Sequence, residues 1–396
     1  MNLHNPIQML PVPEAAKLRG SGPVSSMPYH DPDWWELERK AIFMRSWLHI
    51  GHICEIPEPG SFIRREIEFA RASLLIVRGK DGEVRAFHNV CTHRGTQLVA
   101  EAEGKKAQFS CPYHMWTFGA DGRLLSAPDF ERFYVKKEDC SLKQVSCEVM
   151  AGMIFINFDP APKESLHEFF GGIAGQLEQL PVARATHFTE YTYEMDANWK
   201  TVFDNFQENY HLKFVHPRNS ASALTKDNPL GYPSEYGFLG AHRGQTLSIV
   251  PDPDYVVPPA LLQNAMYGAG IGAKEGLQYP KIDFKCFPAL HFVGLAPNFF
   301  THTMTPIDAQ HMRGQIRMYW TSEIGEASKA YFREFSQMSI RDVLAEDRPA
   351  IESAQRGLNS GAMEEIRFQD HEMLLRHLYE TVQEKVAEYQ AEQQAG

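Results

Sequence analysis

A chain of 396 residues and 45.1 kDa is too long for one ordinary hydrophobic core and predicts two or three domains. With 43% hydrophobic, 22% charged and 12% aromatic residues it is neither disordered nor collagen-like. A net charge of −11, from 39 basic and 50 acidic side chains, argues against nucleic acid or an anionic membrane as partner.

The opening stretch, MNLHNPIQMLPVPEAAKLRG, has no basic cluster followed by an apolar run, so no secretory signal is expected. No apolar stretch reaches the roughly 18 residues that a membrane span requires. The six cysteines, at 54, 91, 111, 140, 147 and 286, are too scattered for a disulfide framework. A soluble, reduced, cytoplasmic protein is expected.

Residues 1–48 read as a Pro- and Gly-punctuated arm followed by a helix. In DPDWWELERKAIFMRSW, Asp31 or Asp33 can cap the helix, and Trp35, Leu37, Ile42, Phe43 and Trp47 give it an apolar side. Residues 49–158 change texture. Short runs such as SLLIVRG, EVRAFHNV and GMIFINF alternate with turns at Lys80-Asp81-Gly82 and Ala120-Asp121-Gly122, which predicts an all-β module of hairpins. Residues 159–396 form the remaining domain. It should hold a helix over 165–180, a strand over 189–195, a helix opening at Asn198 and a Pro/Gly-rich middle over 217–279. Strands HFVGLA, FFTHTMTP and RGQIRMYWTS follow, then long helices from Gly325. An antiparallel sheet backed by a long C-terminal helix around a cavity is an α+β arrangement.

Two constellations carry chemistry. The first is Cys91-x-His93 and Cys111-x-x-His114, separated by 17 residues. Each half offers one thiolate and one imidazole from a short loop, and KKAQFS and TFGADGRLL can form strands that bring the loops together. A tetrahedral zinc site accepts such a set, although zinc fingers usually group Cys with Cys and His with His. A Rieske [2Fe–2S] cluster fits the mixed pairs better, with Cys91 and Cys111 on one iron and His93 and His114 on the other. Cys54, Cys140, Cys147 and Cys286 have no such partners and read as small buried hydrophobes.

The second constellation begins on the helix opening at Asn198. Trp199, Val202, Phe203, Phe206 and Tyr210 recur at helical spacing and predict a core face, while Asp204, Glu208 and His211 form a second stripe. His216 lies five residues after His211, about 140° away on a regular helix. Both imidazoles can face one point only if the helix ends between them, which Pro217 favours. Two histidines supply two ligands of a non-haem Fe(II) site that one carboxylate completes. Asp347 stands within an apolar stripe of Ile340, Val343, Leu344, Ile351, Ala354 and Leu358, where an ionised carboxylate is costly unless paired or metal-bound. It is the expected third ligand, with Glu346 and Asp342 as alternatives, and an ion pair to Arg348 or Arg313 is the competing role.

Together these motifs resemble the large (α) subunits of Rieske non-haem iron oxygenases over nearly the whole chain. The likeness rests on AFHNVCTHRG, FSCPYHMWTFGADGRL, NWKTVFDNFQENYHLKFVH and EDRPAIESAQRGL. It implies an N-terminal Rieske domain and a helix-grip (START-like) catalytic domain, often assembled as a head-to-tail homotrimer. It also implies a separate reductase or ferredoxin as electron donor, and O2-dependent hydroxylation of a small organic substrate. By position, Glu208 would bridge His114 of one subunit to His211 of the next, and Asn205 would be the amide beside the iron. Many members carry aspartate at the bridge. Glutamate there is shared with the branch that attacks quaternary ammonium compounds such as carnitine or betaine.

Phe203, Tyr210, Phe214, Tyr267, Phe287, Phe292 and Phe300 are candidates for an apolar, aromatic pocket wall. Such a wall suits an aromatic or other hydrophobic substrate, or a cation–π cage around a trimethylammonium group. The competing functions are an electron carrier with a ligand-binding domain and a hydrolytic zinc enzyme at His211 and His216.

Overall fold

The structure, a computed structural model, describes residues 7–216, 224–246, 282–295, 298–320 and 326–395. Tyr267 and most of the Pro/Gly-rich middle lie outside the described residues. The chain divides into two units, Phe43–Phe169 and Met1–Ile42 joined with Phe170–Gly396.

The Phe43–Phe169 unit is all-β. Its larger antiparallel sheet runs in the order Leu48–His52, Met153–Asn157, Gln144–Met150, Val84–His88, Ala72–Arg78, Ser61–Ile67, Glu103–Lys105. Leu75 and Val77 turn into a core with Phe62, Phe87, Phe109, Trp116 and Phe118. A second sheet joins Gln108–Ser110, Thr117–Gly119 and Leu124–Ser126. The turn at Ala120-Asp121-Gly122 needs its glycine twice over: φ is +80°, and a Cβ there would sit 2.4 Å from the Phe87 ring.

The second unit is built on an antiparallel sheet of eight strands among the described residues. Their order is Met9–Pro11, Glu235–Leu239, His242–Gln245, Ile282–Cys286, Leu290–Leu295, Asn298–Pro306, Met312–Trp320, His187–Met195. The first hairpin, Glu235–Leu239 with His242–Gln245, falls inside the stretch that reads as Pro/Gly-rich coil. Its glycines serve close approach: a Cβ at Gly237 would lie 2.1 Å from Ile7 of the N-terminal strand region.

Helices flank the sheet. Asp31 caps Pro32–Glu38 by accepting from Trp34 N at 2.8 Å, and the chain continues as a π turn over Arg39–Phe43, so the helix is shorter than the 31–47 span. The 165–180 helix is broken at Gly171, φ +52°, into Leu166–Phe170 and Gly172–Glu178.

The helix opening at Asn198 covers only Trp199–Asn205. The N–H groups of Tyr210 and His211, which a continuing helix would bond to carbonyls one turn back, are taken by the Glu208 carboxylate. Tyr210 therefore leaves the core and is 48% exposed, against the periodicity. A new helical turn, Leu212–Val215, delivers His216 as its cap residue, outside helical geometry.

The long helix Glu326–Asn359 runs through Pro349, and Met373–Ala395 closes the chain. Leu344, Asp347, Ile351 and Leu358 are buried along one stripe of the long helix, but Ala354 is exposed and Gln355 takes its place. No helix among the described residues is long and apolar enough to cross a membrane.

Candidate metal centres

The two Cys/His loops fold as matched turns. Cys91 N donates to Thr96 O at 2.8 Å and Gly95 N to Cys91 O at 2.9 Å. In the second loop Cys111 N donates to Trp116 O at 2.8 Å and Met115 N to Cys111 O at 3.0 Å. Gly95 and Met115 both adopt positive φ, a conformation that is costly for methionine and marks a constrained loop.

These turns bury Cys91 and Cys111 and set the His93 and His114 rings edge to face, centroids 4.6 Å apart. Trp116 stacks on His93 at 4.9 Å. Burial raises the pKa of the Cys91 thiol, the His93 backbone N–H opposes that rise, and the Cys111 thiol adds to it. Desolvation lowers the His93 imidazole, which favours the neutral, ligating form. Its buried Nδ1 has no hydrogen-bond partner among the described residues. Two thiols and two imidazoles, one of them with an orphaned lone pair, are the donor set of a Rieske cluster. Cys140 and Cys286 are buried as expected, whereas Cys54 and Cys147 are only half-buried.

In the other unit, His211, His216 and Asp347 each place one ligand atom within 4.8 Å of the others. Asp347 Oδ1 stands 2.8 Å from His216 Nε2 and 3.6 Å from His211 Nε2. The outer nitrogens are held by carboxylates: His211 Nδ1 donates to Glu208 Oε1, and His216 Nδ1 to Glu346 Oε2 at 2.8 Å. This fixes both tautomers so that the Nε2 lone pairs face Asp347, the orienting device common around metal-bound histidines. Desolvation works to lower the His216 pKa, but Asp347 and Glu346 raise it overall. Neither expected rival claims Asp347, since Arg348 pairs with Glu352 and Arg313 with Glu194. Glu346 supports His216 from outside the triad, and Asp342 pairs with Arg341. Asn205, the last residue of its helix, has a buried Nδ2 without a hydrogen-bond partner among the described residues. Two imidazoles and a carboxylate on one face fit a mononuclear iron with open positions.

The iron-side face of the sheet differs from the apolar wall that the sequence suggests. Cross-strand register aligns Arg243, Lys285, His291, His302 and Ile316 on one face, with Gln245, Asp283 and Phe300 one step along the strands. This face packs on the segment leading to His211: Arg243 lies over the Phe203 ring at 5.1 Å and His302 against Phe206 at 4.6 Å. Phe292 pairs with Phe284 and Thr301 on the opposite face. Tyr210 and Phe214 are exposed, at 48% and 67%.

Desolvation acts to raise Asp283, but Lys285 and His291 hold its carboxyl below the ordinary carboxylate range. Burial keeps His302, which contacts the Tyr193 hydroxyl at 2.6 Å, neutral. A signal for this face existed in KIDFKCFPALHF, where Asp283 and Lys285 alternate with Phe284 and Cys286 in a buried strand.

Residues 182–388 match the family of ring hydroxylating alpha subunits (catalytic domain), and residues 46–145 match the Rieske [2Fe-2S] domain. The glycine betaine monooxygenase oxygenase subunit of Pseudomonas aeruginosa is 33% identical over 231 residues, 58% of this chain and 53% of that protein. The match thus spans about half the length of the glycine betaine relative. The carnitine monooxygenase oxygenase subunit of Acinetobacter baumannii is 29% identical over 350 residues, 84% of each chain. A crystal structure of the quaternary ammonium Rieske monooxygenase CntA with an inhibitor superposes with a TM-score of 0.76 at 25% identity, covering 96% of this chain and 99% of that one. Naphthalene 1,2-dioxygenase shares the fold, with a TM-score of 0.69 at 23% identity over 92% of each chain.

Proposed function

The chain belongs to the ring-hydroxylating α subunits that carry a Rieske domain, and from that premise we propose that it is a terminal oxygenase component. It hydroxylates a small organic substrate with O2 and takes its electrons from a separate reductase or ferredoxin. The observation that carries this is the triad of His211, His216 and Asp347, with both outer imidazole nitrogens held by carboxylates.

Cys91, Cys111, His93 and His114 would hold the [2Fe–2S] cluster, and His211, His216 and Asp347 the iron. When bound, the cluster supplies stored electrons and the iron supplies positions at which O2 can be activated. The chain's own residues prepare that chemistry. Glu208 keeps the proton on His211 Nδ1, Glu346 keeps it on His216 Nδ1, and Asn205 offers an amide donor at the end of the same helix. Glu208 is the proposed link toward the cluster of a neighbouring subunit in a homotrimer.

Two substrate classes suit the family, an aromatic hydrocarbon and a quaternary ammonium compound. The likeness to the glycine betaine and carnitine monooxygenase oxygenase subunits, with glutamate at position 208, favours the second.

Iron, zinc and acid-labile sulfide per chain, with EPR after dithionite reduction, test the proposal. Three irons, two sulfides and a Rieske-type signal are expected, along with O2 uptake that depends on a reductase. Zinc at the triad, or an iron count of two after reconstitution, would overturn it.

A further inference from the structure

Tyr193 and His302 form a buried pair on the iron-side face to which hydroxylation itself assigns no role. The Tyr193 hydroxyl stands 2.6 Å from His302 Nε2, and the two residues are only 6% and 1% exposed. Tyr193 makes no other hydrogen bond among the described residues, so its hydroxyl proton is directed at Nε2. Burial, helped by His291, keeps the imidazole neutral and able to take that proton.

The strands are built around this contact. Register sets Tyr193 opposite Gly314, and Gly314 opposite Met304, two residues from His302. The phenol therefore reaches diagonally across the strand Met312–Trp320. A Cβ at Gly314 would lie 2.1 Å from Tyr193 Cζ, so a side chain there would block the phenol. On one side the pair borders the triad. The long helix packs on the strand His187–Met195, the Asp347 charge acts on the Tyr193 hydroxyl, and His302 lies against Phe206, five residues before His211. On the other side Tyr191 stacks on Tyr193, centroids 6.4 Å apart, and is half-buried.

A phenol is a poor one-electron donor unless its proton departs with the electron, and a neutral imidazole at hydrogen-bond distance is the base that takes it. Resting on the oxygenase function proposed above, we infer that Tyr193 and His302 are a protective redox couple. When O2 and electrons reach the iron without a substrate to attack, Tyr193 gives one electron to the oxygen-derived oxidant there. Its O–H bond breaks, an N–H bond forms at His302 Nε2, and a neutral tyrosyl radical remains. Tyr191 passes the hole outward: it returns one electron to Tyr193, His302 returns the proton, and Tyr191 loses its own proton to solvent. A thiol in solution then restores Tyr191 by giving up a hydrogen atom and becoming a thiyl radical. The oxidising equivalent thus leaves the triad before it attacks His211 or His216.

The test mixes hydrogen peroxide with metal-replete protein that holds no substrate and an oxidised, EPR-silent cluster. Freeze-quenched EPR is read with ordinary and ring-deuterated tyrosine in the chain. A tyrosyl signal that narrows on deuteration is expected in the native protein, a measurement that needs no variant. Tyr193→Phe should remove most of it, as should His302→Gln, which keeps an acceptor but no base. Tyr210→Phe, at an exposed ring, should leave it intact. During reductase-driven O2 uptake without substrate, Tyr193→Phe should lose its third iron several-fold faster, with oxidised histidine in the peptides that carry His211 and His216. No tyrosyl signal in the native protein, or a signal or iron lifetime unchanged in Tyr193→Phe, would overturn the inference. Metal content and circular dichroism on the same samples separate this from misfolding. Three irons and reductase-dependent O2 uptake without a tyrosyl signal would sink the couple and leave the oxygenase function standing. A triad that takes no iron after reconstitution would sink both.

Discussion

His216 Nε2 and Asp347 Oδ1 stand 2.8 Å apart, yet neither oxygen of Asp347 makes a hydrogen bond among the described residues. The carboxylate is 1% exposed, so it is a buried charge that approaches two imidazoles without the geometry of a donor–acceptor pair. Lone pairs converging on one point produce such an arrangement. The proposed ligation would account for an aspartate between Leu344 and Ile351 on the stripe of the long helix, because a metal ion would offset a cost that apolar neighbours cannot.

Asp347→Ala should therefore remove the mononuclear iron while leaving the cluster intact. Iron per chain should fall from three to two with sulfide unchanged, and turnover should be lost. Quantitative metal analysis with EPR of the reduced cluster checks this; retention of the third iron would reject Asp347 as a ligand.

The two carboxylates behind the histidines should separate under substitution. Glu346→Gln weakens the partner of His216 Nδ1 and should lower iron affinity by roughly 10-fold or more, as outer-shell changes do. Glu208→Gln keeps its one amide oxygen as acceptor for His211 Nδ1, so iron should stay, while the backbone N–H groups of Tyr210 and His211 lose the second carboxylate oxygen. Turnover should nevertheless slow, because the proposed link to the neighbouring cluster loses its charge. Chelator competition measures the first effect and single-turnover kinetics the second. Normal turnover in Glu208→Gln would count against the bridge.

Much of the candidate site was legible before any coordinates, because the residue patterns proposed to bind metal follow short-range rules. Cys91-x-His93 and Cys111-x-x-His114 announce themselves by spacing, and Asp347 by its conflict with the stripe around it. What could not be read was set by long-range or side-chain choices. Helical periodicity places Tyr210 in the core, but Glu208 takes the N–H groups that would have continued the helix. Phe292 looks like pocket wall until the strand register turns it to the far face. Arg243 joins Lys285 and His291 only through strands more than 40 residues apart in sequence, so the local alternation of Asp283 and Lys285 signals a buried polar strand but not the face it completes.

Glu38 and Lys200 form an ion pair with side chains 0% and 1% exposed, and Trp199 Nε1 also donates to Glu38 at 2.9 Å. This pair ties the N-terminal helix to the helix that carries Asn205. Breaking it from one side with Glu38→Gln should cost about 3–5 kcal/mol, since the ammonium is left buried and uncompensated. Replacing both at once, as Glu38→Gln with Lys200→Met, should cost clearly less than the sum. Denaturant unfolding of the two single variants and the double variant gives the coupling. Strict additivity would mean that the pair contributes nothing specific.

Asp204 provides the pH-dependent case. Burial pushes its carboxyl up to about 7, against the Tyr29 hydroxyl and Arg243, which work to lower it. An unfolded aspartate titrates near 3.9. Between those values the unfolded state ionises first, so the native state binds more protons and stability falls as pH rises. The contribution is fully present below about pH 4 and lost by about pH 7, and above that both states are ionised. Asp204→Asn keeps an acceptor for Tyr29 and removes the penalty. It should raise Tm at pH 8, by roughly 2–4 °C for each kcal/mol recovered in a domain of this size. At pH 4 it should change Tm little. Thermal unfolding at both pH values decides the matter. A variant that is equally affected at both, or destabilised at pH 8, would show that the ionised carboxylate is needed to balance Arg243.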